Sequence, residues 1–260
     1  MVRLRAPHGR NPHELGAMDL DEHLSDRKRK VKYVQTMFDI LAPGYDAFTK
    51  VFSFGMDSRW KALLVAEGVR RAPKDPVLVD LACGTGDLGS ELARLTSSPR
   101  TIGLDLSKVM LAEAKTRLNG RKNIHLAACD MLQLCLPGDS ADMVSIGYGL
   151  RNTPDVRAAL REVARVLKPG GVLLNLDFNR PVNPVWRELF LWYIWNFGRI
   201  AGWLWHREPI TYGYIAPSIR RYLTIPEFEQ ELAAAGFTVE FRASRLNGAI
   251  GIHVARLAKA

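Results

Sequence analysis

The run Asp80-Leu81-Ala82-Cys83-Gly84-Thr85-Gly86-Asp87 sets two glycines between acids, directly after the apolar Val77-Leu78-Val79. Glycines at such a point let the backbone turn sharply and approach a ligand where a Cβ would obstruct it. With Gly89 they satisfy G-x-G-x-x-G, a dinucleotide-type pattern that is weak by itself. Asp105 stands 21 residues past Gly84, where a carboxylate suits both hydroxyls of a ribose. Dinucleotides and S-adenosylmethionine share that arrangement, and spacing does not separate them. Three further features favour the sulfonium ligand. Asp80 offers a carboxylate to a cationic amino group, whereas it would repel a pyrophosphate. Asp130-Met131 offers a polar contact to an adenine amine and an apolar face to its ring. Leu167-Lys168-Pro169-Gly170-Gly171 before Val172 reads as a helix-to-strand turn that a dehydrogenase half does not need. Each acid alone also reads as a cap or surface residue; together they point to S-adenosylmethionine.

Positioning those residues takes regular elements. Val77 to Leu81 reads as a buried strand, followed by a helix to about Leu95, a strand Thr101 to Leu104 and a helix Val109 to Leu118. Ile124 to Ala128, Met143 to Ile146 and Val172 to Phe178 are further strands, with a helix Asp155 to Leu167 before the last. Strands alternating with helices predict an α/β fold with a doubly wound, mostly parallel sheet, whose strand C-termini face the ligand. Thr224-Ile225-Pro226-Glu227 carries a capping box opening a helix to Ala235, and Phe237 to Phe241 pairs with Ala249 to Ala255 as closing strands. Upstream, a helix from Ser25 places Val31, Val34, Phe38 and Leu41 on one apolar face, with Arg27-Lys28-Arg29-Lys30 as a solvated face or an anchor for acidic headgroups. The expected organisation is an arm over residues 1–24 and one core domain over 25–260. Within it lie a helical lid (25–72), a cofactor-binding core (77–180), an aromatic insertion (181–223) and a closing helix with strands (224–260).

Composition limits the classes. The chain has 260 residues, 47% of them apolar, and a net charge of +9. That describes a globular protein rather than a disordered one, and the charge alone permits nucleic acid, an anionic membrane or an acidic ligand. Interleaved aromatic and basic residues, which a nucleic-acid binder needs, are not what this sequence has, so no nucleic-acid partner is expected. The N-terminus lacks a secretory apolar stretch and no run of about 18 apolar residues occurs, so the expected location is cytoplasmic. Cys83, Cys129 and Cys135 lack metal-type pairing and read as buried thiols; no metal is expected. Five of six tryptophans (Trp186, Trp192, Trp195, Trp203 and Trp205) fall within twenty residues. They read either as a buried helical pair lining an acceptor pocket or as a surface dipping into a bilayer interface.

The sequence resembles the class I methyltransferases, specifically the C-methyltransferases of menaquinone and ubiquinone biosynthesis, over about residues 31 to 257. The carriers are Phe38-Asp39-Ile40-Leu41-Ala42-Pro43-Gly44-Tyr45-Asp46, Ser53-Phe54-Gly55 with Trp60-Lys61, Gly149-Leu150-Arg151-Asn152, Arg165 to Gly171, Arg180-Pro181 and Tyr214 to Ser218. It departs from the family's usual residues at Phe48-Thr49, Asp57, Gly147 and Asp177-Phe178-Asn179. The resemblance implies a seven-stranded sheet, S-adenosylmethionine as methyl donor, and a lipophilic quinol as acceptor, demethylmenaquinol before others. Peripheral membrane contact on the inner face and a homodimer are compatible with it. The runner-up acceptor is a soluble aromatic or polyketide-like metabolite; a nicotinamide-dependent oxidoreductase is the rival of another class.

Asp80, Gly84, Thr85, Gly86, Asp105, Asp130, Met131 and Gly147 make the expected cofactor set, and Arg151, Asn152, Tyr45 and Asp177 the expected catalytic set. A fixed charge on Arg151 would favour an acceptor phenolate, Asn152 would hold an acceptor oxygen, and Tyr45 would close the site. Asp177 is either a base or part of a hydrogen-bonded wall. Plainer alternatives are Arg151 capping a helix or pairing with Asp155, Tyr45 as ordinary packing, and His253 as a structural strand residue.

Overall fold

The computed structural model describes residues 26–42, 49, 53–206 and 210–258. Apolar residues alternate between two faces along its central strands, so the sheet must be covered on both sides. Leu78, Met143 and Leu174 join Leu64, Val65 and Leu92 on one side, while Val79, Val144 and Leu173 join Leu160, Val163 and Phe228 on the other. The sheet has seven strands: β1 (Val77–Leu81), β2 (Arg100–Asp105), β3 (Ile124–Ala128), β4 (Ala141–Gly147), β5 (Leu167–Phe178), β6 (Phe237–Arg245) and β7 (Ile250–Leu257). Their spatial order is β3-β2-β1-β4-β5-β7-β6; β7 alone runs against its neighbours. The chain reverses direction across the sheet between β1 and β4, which opens a crevice at the strand tips.

In chain order the helices are α1 (Arg27–Leu41), α2 (Met56–Val69), α3 (Asp87–Leu95), α4 (Lys108–Arg117), α5 (Val156–Val166), α6 (Pro184–His206), α7 (Ile210–Gly213), α8 (Ile215–Arg221) and α9 (Ile225–Ala234). Side-chain caps fix several starts, each worth about 1 kcal/mol. Ser107 accepts from the Met110 amide, Asp155 from that of Ala158, and Thr224 with Glu227 forms the expected capping box. The described start of α1 is capped by Asp26, which accepts from Arg29 at 2.8 Å.

Three expectations need correction. Leu167 to Gly171 is not a turn ahead of the strand: β5 begins at Leu167, which pairs with Ala141, and the register shifts before Val172 pairs with Met143. Leu167 and Val172 are both buried, and the intervening Gly170 at φ 78° takes up the extra length. The tryptophan-rich segment is not a helical pair but a single 23-residue helix, α6, followed by the short α7. At their crossing a Cβ on Gly198 would stand 2.8 Å from the Tyr212 carbonyl oxygen, so the helices meet through bare backbone. Finally, only Cys83 is buried; Cys129 is half-buried and Cys135 exposed. Tyr45 and the rest of 43–48, the arm over 1–24 and the Trp205 side chain lie outside the described residues.

Candidate active site

Between Leu81 and α3 the backbone enters the left-handed region at Ala82 (φ 50°), Gly84 (φ 53°) and Gly86 (φ 79°). For Ala82 that conformation costs about 1–2 kcal/mol, a strain held in place by the flanking strand and helix. A Cβ built on Gly84 meets nothing within 4 Å, because the loop faces an open cleft. The third glycine has a different reason. A Cβ on Gly89 would lie 2.7 Å from Asp80 Oδ2, and the Gly89 amide donates to that same oxygen at 3.0 Å. Asp80 therefore seats the first turn of α3, and it also accepts from the hydroxyl of Ser145, its register partner on β4. Burial, opposed by these bonds, pushes its carboxyl up to about 7.

Asp105 ends β2 and accepts from the Gly84 amide at 2.9 Å and the Ser107 amide at 2.8 Å. Burial raises its carboxyl too, against the pull of those amides. The Ser107 hydroxyl donates to Asp39 of α1 at 2.6 Å, tying that helix to the loop beside Asp105. Asp130 accepts from the Leu132 amide at 2.9 Å, which turns the chain so that Met131 follows it into the cleft.

The cleft encloses about 1150 Å³ of space open to solvent. The structure brings seven of the eight expected cofactor-side residues to it: Asp80, Gly84, Thr85, Asp105, Asp130, Met131 and Gly147; the eighth, Gly86, does not line it but caps α3 behind the wall. Val31, Val34, Gln35 and Phe38 of α1 roof it. Its charged lining consists of Asp80, Asp87, Asp105 and Asp130 against Lys61, among the described residues. Four carboxylates around one ammonium suit a cationic ligand and oppose a pyrophosphate. Lys61 is itself held by Asp57 at 2.9 Å and Asp87 at 3.2 Å. The residues present fit a sulfonium ligand with a ribose and an ammonium group.

The three described residues expected to be catalytic separate. Asn152 lines the cleft; its amide donates to the Tyr148 carbonyl at 3.0 Å and its oxygen accepts from the Tyr214 hydroxyl at 3.2 Å. Arg151 and Asp177 do not line it. Asp177 is fully buried and accepts from the amides of Arg151 and Phe178 at 2.9 and 2.8 Å, with Arg151 Nε 3.6 Å away. The Arg151 guanidinium also donates to the Ser218 hydroxyl and lies 5.5 Å over the Phe178 ring. Its charge is thus spent behind the cleft wall, on Asp177 rather than on Asp155 or an acceptor oxygen. Burial lifts Asp177 to about 6, against the pull of Arg151. His253, buried in β7, is driven down to about 4 by burial and then by Arg242, so it is a neutral ring packed edge-on to Phe228.

Several site residues carry no mark in the sequence. Lys30, grouped with a solvated charge run, is instead half-buried; its ammonium donates to the carbonyls of Thr153 at 2.7 Å and Arg151 at 3.3 Å, clipping α1 to the cleft rim. Burial and then Arg151 lower it to about 8. Tyr148, at φ 59°, points its hydroxyl at Asp57 at 2.7 Å. The Asp57 and Lys61 spacing on α2, one helical turn, was the one available signal for this cluster.

A sequence model of the ubiE/COQ5 methyltransferase family matches residues 25–256. A demethylmenaquinone methyltransferase of Desulfitobacterium hafniense is 33% identical over 241 residues, which cover 90% of this chain and 94% of that one. The ubiquinone/menaquinone biosynthesis C-methyltransferase UbiE of Geotalea daltonii is also 33% identical, covering 80% of this chain and 89% of that one. Among solved structures, an S-adenosylmethionine-dependent methyltransferase from Mesorhizobium loti superposes with a TM-score of 0.53 at 21% identity, over 73% of this chain and 96% of that one. One from Aquifex aeolicus gives 0.54 at 15% identity, over 78% and 98%. Sheet order, acidic cleft and sequence match agree: the chain belongs to the ubiE/COQ5 methyltransferase family and is an S-adenosylmethionine-dependent methyltransferase.

Proposed function

We propose that this enzyme C-methylates the ring of a demethylated isoprenoid quinol, demethylmenaquinol before others, in quinone biosynthesis. The observation that carries this is the two-sided cleft: carboxylates at the strand tips, and the apolar Val31, Val34 and Phe38 of α1 facing them. A charged methyl donor on one side and an apolar ring on the other match that division. Two relatives named above as quinone-pathway methyltransferases support it. The donor, when bound, supplies an electrophilic methyl on a positively charged sulfur.

In this reading Asp105 accepts the ribose hydroxyls, Asp80 faces the amino group, and Asp130 with Met131 holds the adenine. Gly84, Thr85, Gly86 and Gly147 keep the backbone path close and narrow. Asn152, fixed at both ends of its amide, presents the wall against which an acceptor oxygen is held. Arg151 and Asp177 position that wall from behind. The helical lid, core, insertion and closing unit expected from the sequence divide these tasks, with the donor on 77–180 and the acceptor between 25–72 and 181–223. We place the enzyme in the cytoplasm against the inner face of the membrane, where a lipid acceptor resides.

The direct test offers the purified chain radiolabelled S-adenosylmethionine with demethylmenaquinol, with a tail-less naphthoquinol and with soluble phenolic polyketides. Label on the naphthoquinol ring carbon is expected. Label on the polyketides alone would replace the acceptor assignment, and binding of NAD in place of the sulfonium would overturn the cofactor assignment.

Donor affinity should depend on pH. Burial holds the Asp80 carboxyl up near 7, so below that pH it is protonated in the empty cleft. An ammonium group binds its ionised form, and binding must then expel a proton. Affinity therefore falls as pH drops, by about tenfold between pH 8 and pH 6. Calorimetry with S-adenosylhomocysteine checks this: the slope should vanish in Asp80→Asn, and a flat parent profile would remove Asp80 from the ammonium site.

A further inference from the structure

Helix α6 is apolar on two faces. One face, Phe190, Leu191 and Ile194, shares a buried cluster with Tyr33, Met37 and Ile40 of α1. The other exposes Val185 (70%), Leu189 (57%), Trp192 (67%), Ile200 (59%) and Trp203 (51%). Counting from Val185 these are positions i, i+4, i+7, i+15 and i+18, one stripe of a helix with 3.6 residues per turn. Phe54, 71% exposed and 6.3 Å from the Phe197 ring, extends the patch sideways. Scattered apolar side chains are normal on a protein surface; five aligned on one helix face, interrupted only by Asn196 between Trp192 and Ile200, mark a contact site.

Charge identifies what it contacts. α6 itself exposes Arg199, and the two helices packed on it expose further bases: Lys28, Arg29 and Lys32 on α1, Arg221 and the Glu188-paired Arg220 on α8. On α6 the one acid is Glu188, already bridged to Arg187 and Arg220. Exposed tryptophans on a helix whose own and neighbouring exposed charges are mostly basic fit the headgroup layer of an anionic bilayer, where the ring sits at the boundary and the base meets phosphate. Arg187, Glu188 and Arg199 on α6, and the commitment of its other face to α1, direct it along the surface; no described helix is long and apolar enough to cross a membrane.

We propose that this face of α6 seats the enzyme on an anionic bilayer and delivers a membrane-dissolved acceptor to the cleft. The link is α1, which packs on α6 and also roofs the cleft with Val31, Val34 and Phe38. Lipid surface and reacting site are then separated by α6 and α1, about two helix diameters or roughly 20 Å, and an acceptor ring enters while its long tail reaches back to the lipid. The delivery step rests on the quinol assignment above; the docking does not.

The test compares the full chain with Leu189→Ser/Trp192→Ser on phosphatidylcholine vesicles with and without phosphatidylglycerol. The parent should co-sediment with the anionic vesicles, and the variant should bind them at least about tenfold more weakly. KM for a long-tailed quinol embedded in those vesicles should rise by a similar factor, while turnover of a tail-less quinol in solution stays at the parent level, because Leu189 and Trp192 point outward and neither lines the cleft. Equal vesicle binding by parent and variant, or no binding by the parent, overturns the proposal. So does a parent dimer that the variant loses, because a second copy would then cover the stripe. Vesicle binding without turnover of either quinol supports the surface and overturns the acceptor assignment instead.

Discussion

Asp105→Ala is expected to weaken S-adenosylhomocysteine binding by roughly 100-fold or more, since two hydrogen bonds to a charged carboxylate contribute about 3 kcal/mol or more. The side chain has two duties. It holds the amides of Gly84 and Ser107, and through Ser107 it reaches Asp39 of α1. Removing it frees both loop ends and takes away the ribose acceptor at once. Asp105→Asn separates the duties, because its amide oxygen still accepts one bond while the charge is gone. The expected order in calorimetric affinity is parent, then Asn, then Ala, with far-UV circular dichroism unchanged. An Ala variant within threefold of the parent would mean that the ribose is held elsewhere.

The second large effect concerns stability rather than binding. Asp177→Ala leaves the Arg151 guanidinium buried without its counter-charge and strips acceptors from the amides of Arg151 and Phe178. Breaking one side of a buried pair costs about 3–5 kcal/mol, and in a chain of this size each kcal/mol lowers Tm by about 2–4 °C, so a fall of roughly 10 °C is expected. Replacing both members, Arg151→Met with Asp177→Leu, should recover much of that loss because no orphaned charge remains. A catalytic Asp177 predicts otherwise: turnover collapses at unchanged Tm. Thermal unfolding of the three variants beside their kcat values distinguishes the two.

The strand-tip half of the candidate site was legible because it is local. Asp80, Gly84 and Asp130-Met131 sit at strand ends that apolar alternation marks, and Asp105 follows one crossover later. The catalytic half was not, because its partners are distant in sequence. Nothing near Arg151 announces Asp177, 26 residues on, or Ser218, 67 residues on. The same holds for Lys30, whose neighbours in a basic run differ from it only in which side of α1 they occupy. The departure at Asp57 was visible as a departure, yet its sense appears only once Tyr148 and Lys61 are seen on its two oxygens. In the fold, the turn signal at Gly170-Gly171 marks an excursion within β5 and not an end, because pairing with Ala141 decides that the strand resumes what Leu167 began.

The antiparallel β7 has a consequence for how the chain is made. β5 finds its outer neighbour only when Val172 meets Arg256 and Phe178 meets Ile250, more than seventy residues after β5 has been synthesised. Until then Leu173, Leu174 and Leu176 stand at a sheet edge with open backbone groups, the kind of template on which nascent chains stick to one another. All of α6 to α9 is synthesised inside that interval and is enclosed as a loop when β7 arrives. The exposed tryptophans and the open edge of β5 are therefore present together on the nascent chain, and a polypeptide released before Ile250 keeps both.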